Sequence, residues 1–216
     1  MINKLNKPKI SIIGCGPGDK DFLTLAALKE VEKADILVGA PRLLELFPEF
    51  KGRLFSLGAD IDQALEFIET SFKDQKIAVL VSGDPGCFSF SQKVVHKFGP
   101  ENCHLVPGIS SVQLALSRLK LEWTKAKIVS VHGREPEFEA SELLSYPVVV
   151  ILLGRDLTWF KALWPKLNKN FEVYLVQNLS LENERLDKLS QEADLNQSIN
   201  GQAMLILEAK SEPGLG

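Results

Sequence analysis

Short β-branched runs alternating with segments of helical apolar period predict an α/β chain of two domains. Residues 1–121 would surround a mostly parallel sheet and residues 122–216 a mixed one. Two observations carry this reading. In the first half, apolar runs end at turns rich in Gly or Pro and lead into helical patterns, as parallel strands joined by crossovers require. In the second half, the last runs follow one another with little helix between them, which favours antiparallel neighbours.

The first strand covers residues 9–13 (Lys-Ile-Ser-Ile-Ile) and ends in glycine; residues 23–34 then carry apolar side chains at helical spacing. Residues 35–38 form a second strand that leads into a helix over 42–47, and residues 60–72 read as helical. The run Ile77-Ala78-Val79-Leu80-Val81 is apolar throughout, as expected of a strand covered on both faces. Residues 104–106 make a further strand, followed by a helix over 110–119. A polar stretch interrupted by Trp123, over 120–127, marks the domain boundary. Beyond it, residues 128–131, 148–153, 173–176 and 203–207 read as strands, with a helix over 157–167. The polar stretch 182–200 reads as a solvated loop with a short helix near 185–189, and residues 211–216 as a frayed tail.

Composition excludes several classes. With 45% hydrophobic residues in 216, the chain can bury a substantial core. No apolar run approaches the roughly 20 residues that cross a bilayer. The start is polar without a signal-peptide core, so a cytoplasmic location is expected and no membrane partner. The three cysteines are odd in number and lack CxxC spacing, and the three histidines lack HExxH spacing. That argues against a disulfide framework and against a protein-held metal. A formal net charge of −3 gives no electrostatic case for nucleic acid.

Three Gly/Pro loops are the functional signal: Gly14-Cys15-Gly16-Pro17-Gly18, Ser82-Gly83-Asp84-Pro85-Gly86 and Pro107-Gly108-Ile109-Ser110-Ser111. Each follows a strand, and ligands of open α/β sheets bind outside the carboxyl ends of strands. The first falls short of a dinucleotide fingerprint because Asp19 stands where GxGxxG needs its third glycine. Pro17 also removes an N–H that a pyrophosphate would use, which leaves either a tight turn or a wall for an apolar or nucleoside group. Asp84, held extended by Pro85, either caps the next helix, as Ser89 or Ser91 could, or offers a carboxylate to a ribose hydroxyl or an amino group. Along with it the Gly83 amide is expected to project above the sheet. Ser110 and Ser111 either cap a helix or hold a ligand at its N-terminus.

Together these strings resemble the tetrapyrrole (corrin/porphyrin) methylase family, whose GxGPGD, GDP and PG(I/V)(S/T)(S/A) motifs match Gly14 to Asp19, Gly83-Asp84-Pro85 and Pro107 to Ser111. The likeness runs over nearly the whole chain. Gly39-Ala40-Pro41-Arg42-Leu43-Leu44, Pro107 to Leu114 and Ser130-Val131-His132-Gly133-Arg134 resemble the branch that methylates carbon 5 of a cobalt-precorrin or its metal-free equivalent. Fused members of that branch carry a second domain for carbon-15 methylation and decarboxylation. This chain is too short for one, so that chemistry is expected in a separate polypeptide.

The resemblance implies two α/β domains with S-adenosylmethionine (SAM) as co-substrate in the cleft between them, and a homodimer. It places SAM contacts on Pro17, Gly83, Asp84, Cys87, Ser110, Ser111, Leu153, Leu179 and Ala203. Some relatives carry a methionine where this chain has Leu152-Leu153-Gly154. Cys87 is read as packing, since no base stands beside it in the sequence. The many carboxylates of a tetrapyrrole suit Arg42, His132 and Arg134, with surface charge as the alternative for each. Methyl transfer from a sulfonium to an electron-rich carbon is mainly a matter of alignment, and the sequence singles out no base. Other expectations are methylation at another precorrin position or on a diphthamide precursor, a non-catalytic SAM-binding module, and a nicotinamide-dependent oxidoreductase, which Asp19 disfavours.

Overall fold

The structure, a computed structural model, describes residues 9–58, 60–131, 138–154, 157–199 and 201–210. The chain divides into two compact units, Met1–Ser111 and Val112–Gly216. Among the described residues no helix is long and apolar enough to cross a membrane.

In the first unit, β1 (Ile10–Gly14) leads to α1 (Leu25–Val31), β2 (Ile36–Gly39), α2 (Pro41–Leu44), β3 (Arg53–Ser56), α3 (Ile61–Ser71), β4 (Ile77–Val81), α4 (Ser91–Phe98) and β5 (Cys103–Val106). The strands pair in parallel in the order β3-β2-β4-β1-β5. Every residue of β4 is buried, because helices cover both faces of the sheet. Ile12, Val38 and Val79 pack against Ile68 of α3 and Val94 of α4 on one face. Ile13, Leu37 and Leu80 pack against Val31 of α1 and Leu43 of α2 on the other.

The expected helix over 23–34 is shorter than its periodicity suggested. A 3₁₀ turn at Lys20–Phe22 ends at Leu23, and Thr24 then caps α1, its hydroxyl accepting the Ala27 N–H at 3.0 Å. The edge strand β3 has no counterpart in the sequence reading. Its four residues lack an alternating pattern and are mostly exposed; it exists through its pairing with β2 and through Phe55, stacked on Phe67 of α3 at 4.1 Å.

The second unit follows helix α5 (Ser111–Leu119). It comprises β6 (Ala126–Ser130), α6 (Ala140–Leu143), β7 (Val148–Leu152), α7 (Thr158–Asn170), β8 (Phe171–Gln177), β9 (Arg185–Leu189) and β10 (Ala203–Ala209). The order β6-β7-β10-β8-β9 is mixed as expected: only β6 and β7 are parallel. Val149, Ile151, Leu175 and Leu205 bury one face of this sheet against Phe160, Trp164 and Leu167 of α7.

The expected helix near 185–189 is instead strand β9, paired antiparallel with β8. Side chains two apart share a face of a strand, and Arg185 and Asp187 form a 2.7 Å ion pair at that spacing. Across the ladder Lys188 binds Glu172 of β8 at 2.7 Å. The charges that made this segment look like a solvated loop dress the exposed edge of a sheet.

Candidate functional site

Strand order decides the first cluster. β4, β1 and β5 are adjacent, so the loops after them, which are the three Gly/Pro loops, emerge side by side at the carboxyl ends of the first sheet. They touch backbone to backbone. A Cβ added at Gly14 would lie 2.6 Å from the Gly108 nitrogen and 2.7 Å from the Gly83 carbonyl oxygen. One added at Gly108 would collide with that same oxygen and lie 2.7 Å from the Gly14 carbonyl. One glycine from each loop is therefore required by the other two.

Gly16 and Gly83, both at positive φ, form a short antiparallel bridge: the Gly83 N–H donates to the Gly16 carbonyl at 2.8 Å and the Gly16 N–H to the Gly83 carbonyl at 3.2 Å. The Gly83 amide is thus committed within the junction, which corrects the expectation that it projects above the sheet. Asp84 does not cap α4 either. Its Oδ1 accepts the Gly86 N–H at 2.7 Å and its Oδ2 accepts the Gly108 N–H at 3.1 Å, so one carboxylate braces its own loop and ties it to the third. Ser89 and Ser91 turn their hydroxyls onto the Pro85 carbonyl instead, although Ser89 Oγ also accepts the Ser91 N–H at 3.2 Å. In the first loop, Asp19 caps the 3₁₀ turn by accepting the Asp21 N–H at 2.7 Å. A dinucleotide fingerprint has glycine at that position.

Around this junction stand the expected contacts of the first unit. Pro17 and Ser110 are buried, Cys87 and Ser111 half-buried. A Cβ at Gly83 would meet nothing nearer than 3.6 Å, and what it meets there is Ser110 Cα and then Ser111 N at 3.7 Å. An open niche therefore lies between the second and third loops. Arg42 is exposed in α2, directly beyond β2. Partial desolvation lowers its guanidinium pKa, opposed by nearby Cys15, whose own thiol burial pushes up to about 12.

In the second unit, Leu153, Leu179 and Ala203 are buried and gather at one end of the sheet. β10 runs antiparallel to β7 and β8, so its first residue meets their last. The Leu153 N–H donates to the Ala203 carbonyl at 3.0 Å, and the Asn178 N–H to the Gln202 carbonyl at 2.9 Å. Val131 reaches the same end through its N–H to the Leu152 carbonyl. His132 and Arg134, which follow it, lie outside the described residues. Among the described residues no group of three or more His, Cys, Asp or Glu could hold a metal.

Sequence reasoning missed two features here. Phe88, one residue after Cys87, has φ 46° with 57% of its surface exposed. Asn178 and Ser180 flank Leu179 at φ 52° and 69°. Left-handed backbone at residues bearing a Cβ leaves no sequence signal where glycine would.

A parallel sheet whose three glycine loops meet above β4-β1-β5, followed by a mixed sheet, defines the class. The chain belongs to the Tetrapyrrole (Corrin/Porphyrin) Methylases, whose family model matches residues 9–192. It is similar to the cobalt-precorrin-7 C(5)-methyltransferase of Salmonella typhimurium, with 32% identity over 93% of this chain and all of that one. A precorrin-6Y methylase of cobalamin biosynthesis from Archaeoglobus fulgidus shares the fold at a TM-score of 0.74 and 26% identity, covering 94% of this chain and 98% of that one. So does the uroporphyrin-III C-methyl transferase of Thermus thermophilus, solved with S-adenyl homocysteine, at a TM-score of 0.74 and 21% identity over 93% and 97%.

Proposed function

We propose that this chain transfers a methyl group from SAM to carbon 5 of cobalt-precorrin-7, or of its metal-free equivalent, in cobalamin biosynthesis. The observation that supports this best is the niche between Gly83 and the Ser110-Ser111 pair, where three glycine loops close on one another and leave room for a ligand. SAM supplies a sulfonium methyl that an electron-rich ring carbon can displace. The protein's part is alignment: Pro17, Gly83, Asp84, Cys87, Ser110 and Ser111 from the first unit and Leu153, Leu179 and Ala203 from the second hold the donor. Arg42, His132 and Arg134 bind the substrate's acetate and propionate groups. No side chain is assigned as a base.

The reading extends to a cytoplasmic homodimer and to a separate enzyme for carbon-15 methylation and decarboxylation. Incubation with methyl-labelled SAM and cobalt-precorrin-7 tests it. One labelled methyl at carbon 5, located by carbon NMR, is the expected product; a label at another carbon, or none, overturns the assignment. Arg134→Ala should raise the KM for the tetrapyrrole and leave SAM affinity unchanged.

A further inference from the structure

The turn joining β8 to β9 is held by an acidic side chain that belongs to neither strand's ladder. Asn178 and Ser180 both adopt left-handed backbone on either side of buried Leu179. Such a conformation crowds the Cβ of an L-residue and persists only where its surroundings impose it. Here the surroundings are identifiable. The Asn178 N–H is taken by the Gln202 carbonyl, and the Leu181 N–H by the Asn178 carbonyl at 3.0 Å. The Ser180 N–H donates to Glu184 Oε2 at 2.7 Å, and the other oxygen of that carboxylate accepts Arg118 Nε of α5 at 3.0 Å. Glu184 therefore joins the strained residue to a helix distant in sequence, with one oxygen for each partner.

We infer that Glu184, clamped by Arg118, is a positioning residue that holds the Asn178-Leu179-Ser180 turn in the conformation that receives the methyl donor. The inference rests on the proposed place of Leu179 in the SAM site. The geometry gives it a direction. Without the carboxylate, the Ser180 amide loses its acceptor and the left-handed turn relaxes toward ordinary backbone, carrying Leu179 with it. Glycine at position 180 would occupy the left-handed region at no steric cost, so it should replace the clamp's conformational role without restoring its contacts.

Calorimetric titration of the full chain with S-adenosylhomocysteine tests this. Wild type should bind, Glu184→Ala should bind about tenfold more weakly, the order expected for losing one charge-assisted contact, and Glu184→Ala with Ser180→Gly should recover most of the loss. Should Glu184→Ala not fold, Glu184→Gln serves: its single carbonyl oxygen can satisfy only one of the two donors, and its affinity should fall between the two. Wild-type affinity in the Glu184 variants, with only a lowered Tm, overturns the inference and makes the clamp purely structural. Weakened binding that Ser180→Gly does not restore overturns it as well. Failure of the wild type itself to bind overturns the SAM site, and the inference with it.

Discussion

The glycine junction of the first unit and the β8–β9 turn of the second solve one problem by opposite means. Both fix irregular backbone at the end of a sheet. At the junction, backbone meets backbone where side chains are missing, and Gly14, Gly83 and Gly108 leave no room for a Cβ in any mutual contact. At the turn, residues that carry a Cβ are held in left-handed conformation by Glu184, Arg118 and the Gln202 carbonyl. The first device is intolerant of added atoms, and the second of removed partners.

The sharpest way to break this contrast is Gly108→Ala, which should cost about 3 kcal/mol, the upper range for overpacking a site that cannot yield. Urea denaturation measures it, with Gly58→Ala as a control: a Cβ there meets nothing within 4 Å, and the change should stay within about 0.5 kcal/mol. Equal losses at both positions would abolish the junction as a special site.

Asp84→Ala comes next. Losing an acceptor for the Gly86 and Gly108 amides should cost about 2 kcal/mol of stability and weaken SAM binding by about tenfold or more. Calorimetry separates two roles: lost stability with unchanged SAM affinity would make Asp84 a strut between loops and not a ligand contact.

Phe88→Gly should move stability the other way, upward by about 0.5 to 1 kcal/mol, because glycine enters the left-handed region freely and the exposed ring contributes little packing. A destabilised variant would mean that the ring packs against something that matters more than the strain. The smallest effect is expected from acid. Desolvation raises the Glu184 pKa, but the Ser180 amide and Arg118 outweigh it and hold the carboxyl below its ordinary value. A depressed carboxylate stabilises the fold above its unfolded pKa of about 4.3 and loses that contribution as pH falls through its folded value. For so exposed a pair the contribution is below about 1 kcal/mol. It should appear as a difference between wild type and Glu184→Gln at pH 6 that vanishes near pH 3.

These experiments also mark what was legible beforehand. The buried strands were, because Ile77–Val81 is apolar in every position and the period-2 and 3.6 patterns elsewhere fix their own local structure. The edge strands were not: Arg53–Ser56 and Arg185–Leu189 carry charges where the sheet meets water, and composition alone makes them look like loop. The glycine loops announced themselves, but as ligand binders. That much of their glycine serves mutual contact became visible only with the loops in place.

By itself the sequence determined the α/β class, the helices and buried strands, and three motifs specific enough to place the chain among the tetrapyrrole methylases, since local periodicity and turn chemistry are properties of neighbouring residues. Tertiary structure decided the rest. The order β3-β2-β4-β1-β5 is what sets the three loops side by side, although 69 residues separate the first of them from the second when counted from Gly14 to Gly83. It also committed the Gly83 amide and both oxygens of Asp84, and it brought Arg118 to Glu184 across 66 positions. Partnerships of that range depend on how strands pack into a sheet, and no local pattern encodes them.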